Sequence, residues 1–169
     1  MWEISGEHRL AGVIAYLKHY EYLVGNEISR CSLGVDGLVA LCQQRGGVVL
    51  NWHANEISGV ALYTLGVPSE GFPDPSIAYI LLMILSPEDR FGRFLKGLLF
   101  VLREIQRRGA VVVRFKSRQE NEYERRLYQK FSRIVATEDN LAGHPSFVFQ
   151  CPVSEALQRL GCYERHFRS

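Results

Sequence analysis

Between Arg90 and Arg133 the sequence carries 13 of its 20 Lys and Arg residues but four carboxylates, Glu104, Glu120, Glu122 and Glu124. A basic stretch of this kind suits a polyanion, either the phosphates of a coenzyme or a nucleic acid backbone; it also suits helix faces that are simply solvated. Within it, Asn121 and Tyr128 stand seven residues apart in a segment of helical periodicity, so both project from about the same face, two turns apart. An amide can both donate and accept hydrogen bonds, and a phenol carries a proton it can donate.

Other chemistry is sparsely provided. Cys31, Cys42, Cys151 and Cys162 are widely spaced and His8, His19, His53, His144 and His166 show no metal-ligand spacing, so no metal site is expected. The cysteines read as reduced, partly buried thiols. There is no Gly-x-Ser-x-Gly, no Gly-x-x-x-x-Gly-Lys-Ser/Thr and no Gly-x-Gly-x-x-Gly, which removes serine-hydrolase, P-loop and dinucleotide-binding readings. His53 and Glu56 near a turn are candidate bases by location alone.

The elements that must position these groups follow from hydrophobic period. A helix is expected over His8 to Leu23, and a second one capped by Ser32 and stopped by Gly46 and Gly47. Strands are expected over Val48 to His53, Ile57 to Leu65 and Ile77 to Leu85, with a hairpin turn at Asn55 and an exposed loop from Pro68 to Pro75. Phe91, Phe94, Leu95, Leu98, Leu99, Leu102 and Ile105 form the cleanest helical stripe, ended by Gly109. Ala110 to Phe115 reads as a strand covered on both faces, Asn121 to Phe131 as a helix, Arg133 to Thr137 and Ser146 to Val153 as strands, and Ser154 to Leu160 as a closing helix.

At 169 residues, with 47% apolar and 22% charged content and no linker or repeat, a single domain spanning 1–169 is expected. The longest apolar run, Ile77 to Leu85, is far shorter than the roughly 20 residues that span a bilayer. No membrane association is expected, and the N-terminus lacks signal-peptide character, which points to the cytoplasm.

Taken in order, these elements resemble the GNAT superfamily of acyl-coenzyme A-dependent N-acyltransferases, an α/β (α+β) fold with a mixed central sheet flanked by helices, order (β)ααβββαβαββ. The family's first strand would have to come from Trp2 to Ser5 or be missing. Two motifs carry the likeness. Ser86-Pro87-Glu88-Asp89-Arg90-Phe91-Gly92-Arg93-Phe94-Leu95 resembles the family's Pro-Glu-x-Arg-Gly-x-Gly-x-Gly, with Pro87, Glu88 and Arg90 matching. Asn121, Leu127, Tyr128 and Lys130 resemble its Asn-x-x-Ala-x-x-Leu-Tyr-x-Lys.

The chain departs from the family at Phe91, Arg93 and Leu95, which replace the three glycines, and at Glu124, which replaces a small residue. Such a loop binds pyrophosphate because free N–H groups and the positive end of the dipole meet at a helix N-terminus. Arg90 and Arg93 could add charge-assisted bonds to phosphate. The resemblance implies coenzyme contacts at Ile84, Leu85, Arg90, Phe91, Gly92, Arg93, Phe94, Leu95 and Asn121, with Tyr128 as general acid toward the leaving thiolate.

It implies acetyl-CoA or another acyl-CoA as co-substrate, and an amine acceptor, small molecule or protein, seated by the segment from about Tyr20 to Asp36 and by the final hairpin. A homodimer is compatible with it. Three functions stay open: a divergent acyltransferase, a GNAT-like binding or scaffolding domain without activity, and a nucleic-acid-binding module.

Overall fold

The computed structural model describes residues 1–24, 32–87, 91–139 and 143–166. Two helices, α1 (Leu10–Tyr20) and α2 (Gly34–Arg45), precede the main strands. The helical stretch of α1 is extended by 3₁₀ turns at Glu7–Arg9 and Glu21–Val24. Ser32 does not cap α2: Leu33 holds the cap position and no side-chain bond closes it. The expected glycine stop is also a joint, since β2 (Gly46–His53) begins at the residue after α2. A Cβ on Gly46 would lie 2.1 Å from the carbonyl oxygen of Tyr63, so the chain passes there only without a side chain.

Strand β3 (Glu56–Leu65) follows through a tight turn at Ala54 and Asn55, both with positive φ (49° and 67°), as a two-residue hairpin of the right twist requires. Next come β4 (Ile77–Leu85), α3 (Phe91–Arg107), β5 (Val112–Arg118), α4 (Glu122–Tyr128), β6 (Arg133–Asp139), β7 (Pro145–Pro152) and α5 (Val153–His166). The first strand is present and short: β1 (Trp2–Ile4) pairs antiparallel with β2, Trp2 opposite Asn51. One seven-stranded sheet results, in the order β1-β2-β3-β4-β5-β7-β6. All pairs are antiparallel except β4 with β5.

Two apolar layers pack on this sheet. On one face α3 and α5 bury Leu99, Leu102, Ile105 and Leu160 against Val49, Ala61, Tyr63, Val113 and Phe149. On the other, α1 and α2 bury Leu17, Leu38 and Val39 against Val48, Leu50, Val60, Leu62 and Ile84. The second layer covers β2 to β4 alone. Strand β5 therefore alternates, with Val113, Phe115 and Ser117 buried and Arg114, Lys116 and Arg118 on the uncovered face. This corrects the reading of a strand at Ala110 to Phe115 covered on both sides: the ladder starts two residues later and runs into the basic residues.

Burial pushes the thiols of Cys42 and Cys151 up to about 12, which makes them poor nucleophiles. Among the described residues no helix is long and apolar enough to cross a membrane.

Candidate active site

The parallel pairing of β4 with β5 lasts for four residues, Ile77 to Ile80 against Val112 to Phe115. Beyond Ile80, β4 stays with β3 and β5 stays with β7. The two central strands part and the sheet opens. A β-bulge marks the point of parting: Leu62 lies opposite Leu82 and Tyr63 opposite Ile80, so Leu81 has no partner. The extra residue reverses the side-chain phase, sending Ala78 and Ile80 to the α3 layer but Leu82 and Ile84 to the α1 and α2 layer.

A cleft of about 480 Å³ occupies this opening, a size that suits a small ligand or a slender chain. Its walls come from both faces of the sheet. Ile80, Met83, Phe94, Phe115 and Tyr128 belong to the α3 side, whereas Tyr79, Lys116 and Arg118 belong to the uncovered side, with Leu23, Pro68 and Ser69 at the rim. Leu81, Leu82, Ser117, Glu120, Asn121, Glu124 and Ser146 complete the lining. The cleft thus connects the two faces.

Tyr128 is fixed by aromatic packing. Its ring lies 4.7 Å from Phe115, 5.5 Å from Phe149 and 6.1 Å from Phe131, all edge to face. Burial, then the charge of Glu124, pushes the phenol well above its ordinary range, so it is held protonated. Among the described residues its hydroxyl has no hydrogen-bond partner. A protonated, half-buried phenol facing a cleft is a proton donor in search of an acceptor.

Asn121 and Tyr128 both reach the cleft, but not as two turns of one helix face. Asn121 is the N-cap of α4, its Oδ1 accepting from the Glu124 N–H at 3.1 Å, and α4 ends at Tyr128 rather than at Phe131. The helix stops there because the chain tightens: Phe131 N–H donates to the Tyr128 carbonyl at 3.1 Å, and so does the Ser132 hydroxyl at 2.6 Å. Glu124 points into the same space, its carboxylate accepting from Ser117 Oγ at 2.8 Å.

The residues expected at the phosphate loop divide three ways. Arg90 and Glu88 lie outside the described residues, and Phe91 and Gly92 begin α3, so the positions where the family has glycine fall within the helix. Phe94 lines the cleft. Leu95 instead is core, 5% exposed against α5 and the sheet, and Arg93 is half-buried on α3. Ile84 is likewise turned away, 2% exposed in the α1 and α2 layer. Leu85 sits at the end of the diverging strand; because Ser86 N–H donates to Ser58 O, strand alternation turns the backbone groups of Leu85 and Met83 toward the opening.

An acyl-CoA fits this geometry. Its pantetheine arm is slender and carries two amides, and the edge of β4 beyond Ile80 offers strand backbone that β5 does not pair. The first-turn N–H groups of α3 are unpaired within the helix and point out of its N-terminus. His53 and Glu56, at the far hairpin, are not among the lining residues.

Sequence reading did not find Tyr79, Ser117, Arg118 or Ser146, which reach the cleft only through strand pairing; the alternation of Val113, Phe115 and Ser117 against Arg114, Lys116 and Arg118 was the available signal. The basic stretch itself is interleaved with acids. Arg107 and Arg108 grip Glu104 at 2.8 and 3.1 Å, Arg114 meets Glu70 at 2.8 Å, Lys116 meets Glu138 at 2.9 Å and Arg126 meets Glu122 at 2.7 Å.

This sheet, opened between its two parallel strands, is the fold of the GNAT acetyltransferases. Among solved structures, a Desulfovibrio desulfuricans protein assigned to that family superposes with a TM-score of 0.65 at 14% identity, over 90% of this chain and 98% of that one. The ribosomal-protein-S18-alanine N-acetyltransferase of Escherichia coli gives 0.63 at 13%, covering 90% and 94%. The Salmonella typhimurium protein yncA, assigned as an acetyltransferase and solved with its cofactor acetyl-CoA, gives 0.64 at 13%, covering 90% and 93%. No protein-family model matches the chain, and no curated protein matches it by sequence.

Proposed function

We propose that the protein is an acyl-CoA-dependent N-acyltransferase of the cytoplasm, moving an acyl group, acetyl in the simplest case, to an amine. The observation that carries this reading is the Tyr128 phenol, kept protonated at the point where β4 and β5 separate. Bound acyl-CoA would supply an activated acyl carbon and a thiolate leaving group. The chain's own residues then have distinct tasks. The α3 N-terminus would face the phosphates, the Met83 to Leu85 edge would pair with the arm, and Asn121 would offer its amide beside it. Tyr128 would hand its proton to the departing sulfur as the C–S bond breaks and the amine nitrogen bonds to the acyl carbon, while the proton shed by that nitrogen would pass to water in the open cleft, from which the phenol is restored.

Calorimetric titration with acetyl-CoA tests the reading: saturable heat and a thermal shift are expected, and neither at millimolar ligand overturns it. A second reading, a GNAT-like binding or scaffolding domain that has lost the coenzyme, is favoured by one feature, the Glu124 carboxylate bonded to Ser117 inside the cleft where the family has a small side chain. The same titration separates the two.

A further inference from the structure

Tyr79 is the second phenol of the cleft, and the acyl-transfer chemistry above gives it no work. It lies on β4 one residue before Ile80, so its side chain leaves the sheet on the face opposite Phe115 and Tyr128. It is 6% exposed, yet among the described residues its hydroxyl has no hydrogen-bond partner. A tyrosine that only packs is matched by phenylalanine; the Tyr79 hydroxyl is not sealed among the buried groups but is accessible from the cleft the residue lines, where a ligand can reach it. Its ring already has a neighbour, the Lys116 ammonium at 6.0 Å, which Glu138 holds in place at 2.9 Å. Only the hydroxyl is left for a ligand.

Which ligand follows from the shape of the opening. The α3 face carries the helix N-terminus and Tyr128, the groups suited to a phosphorylated coenzyme and its leaving sulfur. A nucleophile that must meet the same acyl carbon has the other face, where among the described residues neither α1 nor α2 packs on Tyr79, Lys116 and Arg118. We propose that Tyr79 is the acceptor-side positioning residue: its phenolic oxygen takes a hydrogen bond from the N–H of the incoming amine and aims the nitrogen lone pair through the gap between β4 and β5. Burial and the nearby charge of Glu138 keep this phenol neutral, so it presents an oxygen lone pair and not a counter-charge that would hold the amine as ammonium. This assignment rests on the acyl-transfer reading and extends it to the acceptor.

The test uses the full chain labelled with [13Cζ]tyrosine, the Tyr79 and Tyr128 lines being identified from their loss in Tyr79→Phe and Tyr128→Phe. Three primary amines, benzylamine, spermidine and glycinamide, are titrated separately, and acetyl-CoA in a fourth experiment. At least one amine is expected to move the Tyr79 line, and its Kd is expected to rise about tenfold in Tyr79→Phe, the loss of one hydrogen bond. The acetyl-CoA Kd and the melting temperature should not change in that variant. An unmoved Tyr79 line with all three amines, or equal amine affinity in Tyr79→Phe, overturns the proposal. If acetyl-CoA leaves the Tyr128 line still, the acyl-transfer reading fails instead, while the amine titrations judge Tyr79 on their own.

Discussion

The two halves of the sheet are built on different rules. From β2 to β4 it is packed on both faces, with Leu62 at 0% exposure under α1 and α2 and Tyr63 at 0% under α3. From β5 to β6 one face is packed and the other is a lattice of ion pairs, and the edge strand leaves Ile134 and Val135 largely in water. The cleft lies at the boundary, where a doubly covered strand ceases to pair with a singly covered one. Separating two strands costs least where packing already changes, and the groups exposed there can be polar on one side and aromatic on the other.

Four perturbations press on that contrast. The largest is Tyr128→Phe, expected to cut turnover of any amine the protein acylates by about 10²–10⁴-fold while leaving acetyl-CoA affinity nearly unchanged, measured as thiol release. Next is Leu62→Ala, which opens a void between two buried layers and is expected to cost about 2–5 kcal/mol in urea unfolding. Val135→Ala on the exposed edge should stay within about 0.5 kcal/mol; equal costs would erase the distinction between the halves.

The third concerns Glu104, a buried carboxylate whose pKa is held below 4.5 by hydrogen bonds from Arg107, against its own burial, with Arg108 adding to the effect. A carboxylate depressed in the folded state stabilises it above about 4.5 and ceases to as pH falls through the folded value. Glu104→Gln should therefore flatten the acid limb of a stability-against-pH curve, while the parent protein loses stability there. The fourth, also small, is Glu124→Ala. Removing an anion from the cleft should tighten acetyl-CoA binding by about threefold, the scale of a screened charge, read by calorimetry.

Much of the fold is legible in the sequence because periodicity is local. The α3 stripe from Phe94 to Ile105 declares its buried face, and Ala54 with Asn55 sits where a hairpin must turn. Ends are less legible, since they depend on contacts made elsewhere. Gly46 ends α2 because Tyr63 crowds it, and α4 ends early because Phe131 turns into the core. The site is the least legible part. Asn121, Phe94 and Tyr128 could be named from motifs, but Tyr79 and Ser117 meet them only once β4 and β5 have paired and parted. Glu124 could be seen in the sequence as a departure, though not its bond to Ser117.

The bulge at Leu81 has a consequence for how β4 tolerates change. Because one unpaired residue reverses the phase of the strand, Ile77 to Ile80 and Leu82 to Leu85 behave as two words read in different frames. Deleting Leu81 would join the two words in one strict alternation, Ile80 toward α3 and Leu82 toward α1 and α2, each keeping its present face. Conservative exchange at any one position leaves both frames intact. Insertion or deletion at any other position within β4 acts like a frameshift and sends the side chains on one side of it to the opposite face.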